Sequence, residues 1–120
     1  MDDEAPVLSF AERVLDRLGY HVNLARNGQE AVDLYRDALT TAEPYAAVVL
    51  DLTVPGGMGG RETIDALRKL DPDVKAIVSS GYSNDPIMSQ FRQYGFKDVV
   101  AKPYDVRTFS QVLQRTISSD

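Results

Sequence analysis

Apolar residues recur at helical spacing in five stretches of the chain, where they stand three and four positions apart. This spacing is typical of amphipathic helices that bury one face. The five predicted helices cover residues 5–18, 31–39, 63–70, 86–94 and 105–117. Gly19 and Gly95 are predicted to end the first and the fourth of these helices, since glycine commonly follows the last helical turn.

Short apolar runs separate these helices and predict strands. The run at 20–25 alternates between apolar and polar residues, which is typical of a strand with one buried face. The runs at 45–50, 74–78 and 99–101 are continuous, and such strands are usually covered on both faces, as in a parallel sheet. The alternation of helices and strands therefore predicts an α/β fold, a doubly wound parallel sheet with helices on both faces.

Length, charge and composition narrow the classes of function. A chain of 120 residues fits one domain with one core. The net charge is −5 and the 13 Lys and Arg residues are scattered, which argues against nucleic acid as a partner. No apolar run is long enough to span a membrane, and we expect no membrane contact. The chain has no cysteine, which rules out disulfides and thiolate chemistry and suits a cytoplasmic location. His21 is the only histidine and is predicted to lie at the surface.

Polar residues follow the continuous apolar runs, where the predicted strands end. Asp51, Ser80 and Lys102 hold these positions, and open parallel sheets bind ligands at this edge. With Asp2 and Asp3 added, several carboxylates would meet there, and each like-charged pair at ~4 Å costs on the order of 4 kcal/mol at an effective dielectric of ~20. Magnesium would offset this repulsion, because it prefers oxygen ligands. An aspartate facing a magnesium ion and a lysine is well placed to attack a phosphoryl group.

Four stretches in this order resemble one known family. They are residues 2–4 (Asp-Asp-Glu), 48–55, 77–82 and 99–104, and the last contains Lys102-Pro103. The sequence resembles the receiver domains of two-component response regulators, most of all those at the C-terminus of hybrid histidine kinases. The resemblance implies a flavodoxin-like receiver fold that spans residues 1–120 as a single domain.

The resemblance also implies roles for individual residues. Asp51 matches the aspartate that accepts a phosphoryl group. Asp3 matches the acidic ligand of Mg²⁺, and Asp2 matches its partner, which usually acts through water. Thr53 matches the position whose backbone carbonyl binds the same ion, and Asp51 is itself expected to be a ligand of it.

Two further positions complete the implied site. Lys102 matches the lysine that pairs with the acceptor carboxylate and then with the phosphoryl group, and its bond to Pro103 is usually cis in the family. Ser80 matches the hydroxyl residue that turns toward the phosphoryl group, with Ser79 as its competitor. Asp2 and Asp3 also have a simpler reading, as N-cap residues of the first helix.

The implied function is a signalling domain rather than an enzyme. Its phosphodonor would be a histidine kinase or a phosphohistidine domain, and pairing with a second receiver stays open. The alternative is an interaction module of the same fold that is not phosphorylated. Val99 favours this alternative somewhat, because many receivers carry there an aromatic residue that moves on activation. A magnesium-dependent phosphohydrolase is less favoured, because Thr53 stands where such enzymes typically have a second aspartate.

One feature departs from the family pattern. Receivers begin with an apolar strand of about five residues before the acidic pair, and it lies inside a sheet of order 2-1-3-4-5. Here only Met1 precedes Asp2. We therefore expect an N-terminally truncated domain that begins at the acidic pair, with its first, interior strand missing and two strand edges unpaired. We also expect lower stability and weaker magnesium binding than in a complete receiver.

Overall fold

The computed structural model describes residues 1–82 and 84–119. Its five α-helices are α1 (Ala5–Arg17), α2 (Gly28–Leu39), α3 (Gly60–Leu70), α4 (Pro86–Ser89) and α5 (Val106–Ser118). Its strands are β1 (Val48–Asp51), β2 (Ala76–Ser80) and β3 (Asp98–Ala101). A 3₁₀ helix, Phe91–Tyr94, follows α4. In this described part of the chain, no helix is both long enough and apolar enough to cross a membrane.

Two of the long helices, α2 and α5, begin at a residue whose side chain caps the helix N-terminus. The Asn27 side chain accepts a hydrogen bond of 3.0 Å from the backbone N–H of Glu30, and the Glu30 carboxylate accepts one from the N–H of Arg26. Asp105 caps α5 in the same way, accepting from the N–H of Arg107 at 3.3 Å. Such caps satisfy amides that have no partner within the first helical turn.

The three strands form a parallel sheet in the order β1-β2-β3. Leu50 pairs with Val78, and Ser80 pairs with Ala101. Every residue of β2 is buried, as expected for a central strand covered on both faces. The parallel direction places the ends of all three strands at one edge of the sheet, next to Asp51 and Lys102.

Apolar clusters pack on both faces of the sheet. The larger one joins the sheet to α2, α3 and the segment around Phe96, and it includes Ile64 and Leu67, which are fully buried. The smaller one packs Phe109 and Leu113 of α5, with part of α1, against the other face. The doubly wound α/β fold predicted from the sequence is therefore confirmed.

The predicted strand at 20–25 is wrong, since these residues form no strand. A strand requires a hydrogen-bonded neighbour, and the neighbour available on the β1 side is only the short segment Met1–Asp2. The N–H of Asp2 donates to the Ala25 carbonyl at 3.0 Å, which is the contact that ties residues 20–25 to this segment. The alternation indicates that residues 20–25 could present one apolar face to a sheet. A strand forms only where its backbone is hydrogen-bonded to a neighbouring strand.

The predicted helix at 86–94 is also interrupted. Asp85 caps α4 by accepting from the N–H of Ile87, and the helix ends after one turn at Ser89. The chain continues as the 3₁₀ helix, which ends at Gly95 as predicted. Gly95 has φ +100°, a left-handed conformation that glycine adopts without steric cost.

Candidate functional site

Two carboxylates and one ammonium group meet at the C-terminal edge of the sheet. Lys102 Nζ lies 3.0 Å from Asp2 Oδ2 and 3.2 Å from Asp51 Oδ1, so it bridges the two acidic side chains. Asp51 and Asp2 are only 3% and 2% exposed. The prediction that the strand ends bring Asp51 and Lys102 together is thus confirmed by the geometry, and Asp2 belongs to the same cluster.

Backbone contacts hold Asp2 in this position, although it lies next to the chain terminus. The Met1 amino group donates to the Val49 carbonyl at 2.7 Å, and the N–H of Asp51 donates to the Met1 carbonyl at 3.0 Å. Asp2 Oδ1 accepts from the N–H of Glu4 at 2.9 Å, so it also satisfies an amide just before α1. One oxygen of Asp2 therefore bonds to this amide and the other meets Lys102. The N-cap position of α1 is held by Glu4, which has no side-chain cap, so the N-cap reading of Asp2 does not apply and its role as a metal ligand stays a prediction.

Burial dominates the electrostatics of Asp51. The pKa of its carboxyl group is raised to about 6, first by desolvation and then by the charge of Asp2. Lys102 and a backbone hydrogen bond from Thr53 act in the opposite direction but do not restore the ordinary value. Burial and the carboxylate of Asp2 therefore outweigh Lys102 in setting the pKa of Asp51.

Burial and the same two carboxylates also determine the pKa of Lys102. Burial alone would lower the pKa of its ammonium group. The hydrogen bond to Asp2 and the negative charge of Asp51 outweigh burial, so the net pKa is raised. Lys102 is thus held in the charged form at neutral pH.

The donor atoms fit a hard divalent cation. Carboxylate oxygens of Asp2, Asp3 and Glu4 lie within 4.8 Å of one another, and Asp3 and Glu4 are exposed. Asp51 and Asp2 both form ion pairs with Lys102, and Thr53 lies two residues after Asp51 in the chain. Oxygen donors with a negative surplus are what Mg²⁺ prefers. Glu4 was not predicted as a ligand, although its place next to the acidic pair could have indicated it.

Ser80 lies at the predicted strand end, but its hydroxyl is engaged elsewhere. Ser80 is buried, and its Oγ accepts from the N–H of Tyr82 at 2.9 Å. Ser79, its competitor in the sequence, pairs with Asp51 in the sheet and shares a hydrogen bond of 2.8 Å with the hydroxyl of Tyr104. The two serines therefore have separate partners.

Tyr104 is a residue near the site whose contacts the sequence did not predict. Its ring stacks on Phe109 of α5, with centroids 4.7 Å apart and planes within 6° of parallel. Burial raises the pKa of its hydroxyl group, although the hydrogen bond with Ser79 opposes this. Tyr104 follows Pro103, and the Lys102–Pro103 bond is cis, as the resemblance implied.

Two further expectations concern residues outside the cluster. His21 is exposed, as predicted. Val99 is half-buried and packs against the larger apolar cluster, as an ordinary core residue does.

A family model described as the response regulator receiver domain matches residues 1–114. The chain belongs to this family. Chemotaxis protein CheY of Thermotoga maritima is 28% identical over 116 residues, which cover 96% of this chain and 92% of that protein. Sporulation initiation phosphotransferase F of Bacillus subtilis is 26% identical over 106 residues, covering 88% and 81% respectively.

Solved receiver structures share the fold. The receiver domain of sensor histidine kinase PA1611 from Pseudomonas aeruginosa superimposes with a TM-score of 0.84 at 25% identity, covering 99% of this chain and 94% of that one. That structure has a magnesium ion coordinated in its active-site cleft. The family is therefore established, and with it the CheY-like fold, whereas the C-terminal hybrid-kinase type stays a prediction.

Proposed function

We propose that this receiver domain takes a phosphoryl group from a phosphohistidine onto Asp51, with Mg²⁺, within a two-component phosphorelay. The observation that carries the proposal is the bridging position of Lys102, 3.2 Å from Asp51 and 3.0 Å from Asp2. A buried carboxylate that faces a fixed cation and a second carboxylate is arranged for phosphoryl chemistry rather than for stability alone, because burial and then the charge of Asp2 raise the pKa of Asp51.

The transfer itself requires the carboxylate form of Asp51. One oxygen of Asp51 attacks the phosphorus in line, the phosphorus–nitrogen bond to the donor imidazole breaks, and the bonding electron pair stays on that nitrogen. Lys102 neutralises charge on the phosphoryl oxygens during this step. When bound, Mg²⁺ supplies further charge neutralisation on the same oxygens. Asp2, Asp3 and Asp51 would hold the ion, together with the Thr53 carbonyl.

The product changes the charge next to β2. The acyl phosphate on Asp51 carries up to about −2 charge and three acceptor oxygens. The Ser80 hydroxyl, which accepts from the Tyr82 amide before the reaction, would then donate to a phosphoryl oxygen. Tyr82 is 69% exposed, so its displacement alters the surface seen by a partner protein. Loss of the phosphoryl group to water resets the domain, which acts on no other substrate.

Binding of a phosphoryl mimic tests this function directly. We expect ¹H–¹⁵N NMR spectra to show shifts at Asp51, Ser80 and Tyr82 when Mg²⁺ and beryllium fluoride are added together. The Asp51→Asn variant should lose the response to beryllium fluoride, while Asp73→Asn, at an exposed position away from the cluster, should keep it.

The same titration separates the proposal from its rival. An interaction module of this fold that is not phosphorylated would show no response to the mimic in the wild-type protein, and that result would reject phosphoacceptance.

The proposed partners are a histidine kinase or a phosphohistidine domain, and a second receiver for pairing. A cytoplasmic location stays a prediction from composition.

A further inference from the structure

Tyr104 lies next to the cluster of Asp2, Asp51 and Lys102 and is held from two directions. Its ring stacks on Phe109 of α5, with centroids 4.7 Å apart. Its hydroxyl shares a hydrogen bond of 2.8 Å with Oγ of Ser79. Phe109 and Ser79 are 1% and 0% exposed, so both contacts of Tyr104 are with the close-packed interior. The Tyr104 side chain therefore joins β2 to α5.

Backbone bonds from the end of β2 hold both charged partners of the site. Ser79 pairs with Asp51 in the sheet, and its carbonyl accepts from the N–H of Leu52 at 2.8 Å. The carbonyl of Ser80 accepts from the N–H of Lys102 at 3.0 Å. The end of β2 therefore sets the distance between the backbones of Asp51 and Lys102.

Only Pro103 separates Tyr104 from Lys102. The proline ring locks its own φ, and peptide bonds are planar, so few backbone torsions are free between the two residues. Lys102 is thus fixed on its N-terminal side by the Ser80 carbonyl and on its C-terminal side by Tyr104. Burial raises the pKa of the Tyr104 hydroxyl group, and the charges of the site also affect it, so this hydroxyl lies within electrostatic reach of the site.

We propose that Tyr104 is a positioning residue for phosphoryl transfer, which acts through Lys102. Its hydrogen bond with Ser79 holds the turn after Lys102 and so keeps the ammonium group between the two carboxylates. The inference rests on the proposed function, in which Lys102 neutralises charge on the phosphoryl oxygens. Without the Tyr104 hydroxyl, stacking alone would hold this turn, and a small displacement of a charged group from the reacting atoms slows a reaction strongly.

The rate of phosphoryl uptake from acetyl phosphate tests this role. Tyr104→Phe keeps the ring and removes the hydroxyl. Tyr94→Phe is the matched control, because Tyr94 is also half-buried but packs against the larger apolar cluster, on the other face of the sheet. With Mg²⁺ present, we expect Tyr104→Phe to lower the rate constant on the order of tenfold, and Tyr94→Phe to match the wild type. Equal rate constants for the two variants would overturn the proposal.

A double variant separates positioning from stability. Ser79→Ala combined with Tyr104→Phe removes both hydroxyls, so no buried hydroxyl is left without its partner, and the urea midpoint should move back toward that of the wild type. The bond is still missing, so the rate constant should stay as low as in Tyr104→Phe alone. Recovery of the rate constant in the double variant would show that the hydroxyl acts on stability only, and would reject the positioning role.

Motion of the Lys102 ammonium group is measured without any phosphoryl transfer. Its order parameter, from ¹⁵N relaxation of the ammonium group, should fall in Tyr104→Phe and in the double variant but not in Tyr94→Phe. An unchanged order parameter in Tyr104→Phe would also reject the positioning role. If the wild type takes up no phosphoryl group, the proposed function fails, while this measurement still tests how Lys102 is held. The two failures are therefore distinguishable.

Discussion

At the scale of single residues, the site is defined by how one lysine is shared between two buried carboxylates. The sequence predicted Asp51 and Lys102, because both directly follow continuous apolar runs and such strand ends meet at one edge. It did not predict the shared contact with Asp2, nor the bond from Tyr82 to Ser80, since these depend on side-chain positions that no periodicity encodes.

The charge of Asp2 makes a measurable contribution to the pKa of Asp51. This pKa is raised to about 6, and after burial the charge of Asp2 is the second cause. We expect Asp2→Asn to lower the pKa of Asp51 in the metal-free protein, while burial keeps it above the ordinary value of 3.8. Carbon-detected NMR titration of the carboxyl group provides the measurement. Asp3→Asn, at an exposed neighbour, is the control, and equal values in the wild type and Asp2→Asn would contradict the assignment.

The hydroxyl of Tyr104 is predicted to stabilise the fold through Ser79. Tyr104→Phe keeps the stacking on Phe109 but removes the 2.8 Å hydrogen bond. We expect a loss of about 0.5–1.5 kcal/mol in the free energy of unfolding, the usual net value of one such bond. Urea denaturation measures it, with Tyr82→Phe as the exposed control. A loss no larger than that of the control would show that the bond contributes nothing.

At the scale of elements, local pattern predicted the helices better than the strands. The stretches at 5–18 and 105–117 became α1 and α5 almost unchanged, because an amphipathic helix satisfies its own backbone. Residues 20–25 carry an equally clear alternation but form no strand, because a strand depends on a neighbour. The helix predicted at 86–94 breaks after one turn, which its apolar spacing did not indicate.

The start of α2 depends on a close approach to α3. A Cβ at Gly28 would press on the Thr63 hydroxyl and lie 2.8 Å from the Met58 carbonyl oxygen. We expect Gly28→Ala to reduce the free energy of unfolding by about 1–3 kcal/mol, the usual cost of overpacking. Gly81→Ala is the control, because a Cβ there meets nothing within 4 Å. Equal urea midpoints for the two variants would show that α2 and α3 can move apart freely.

At the scale of the whole molecule, the alternation of helices and continuous strands was enough to predict the doubly wound sheet and the edge that carries the site. A cavity lies between residues 20–25 and β1, and the expectation of a truncated domain stays a prediction. What the pattern could not supply is how Met1 and Asp2 close one end of this cavity. Three backbone bonds there place Asp2 beside Lys102 and so link the architecture of the sheet to the chemistry of the site.

Phosphoryl incorporation is the most direct test of the proposed function. The protein is incubated with acetyl phosphate and Mg²⁺, and intact-mass spectrometry counts the phosphoryl groups. We expect one acid-labile phosphoryl group on the wild type and on Asp73→Asn, and none on Asp51→Asn or without Mg²⁺. Incorporation that persists in Asp51→Asn, or its absence from the wild type, would contradict the assignment of Asp51 as the phosphoacceptor.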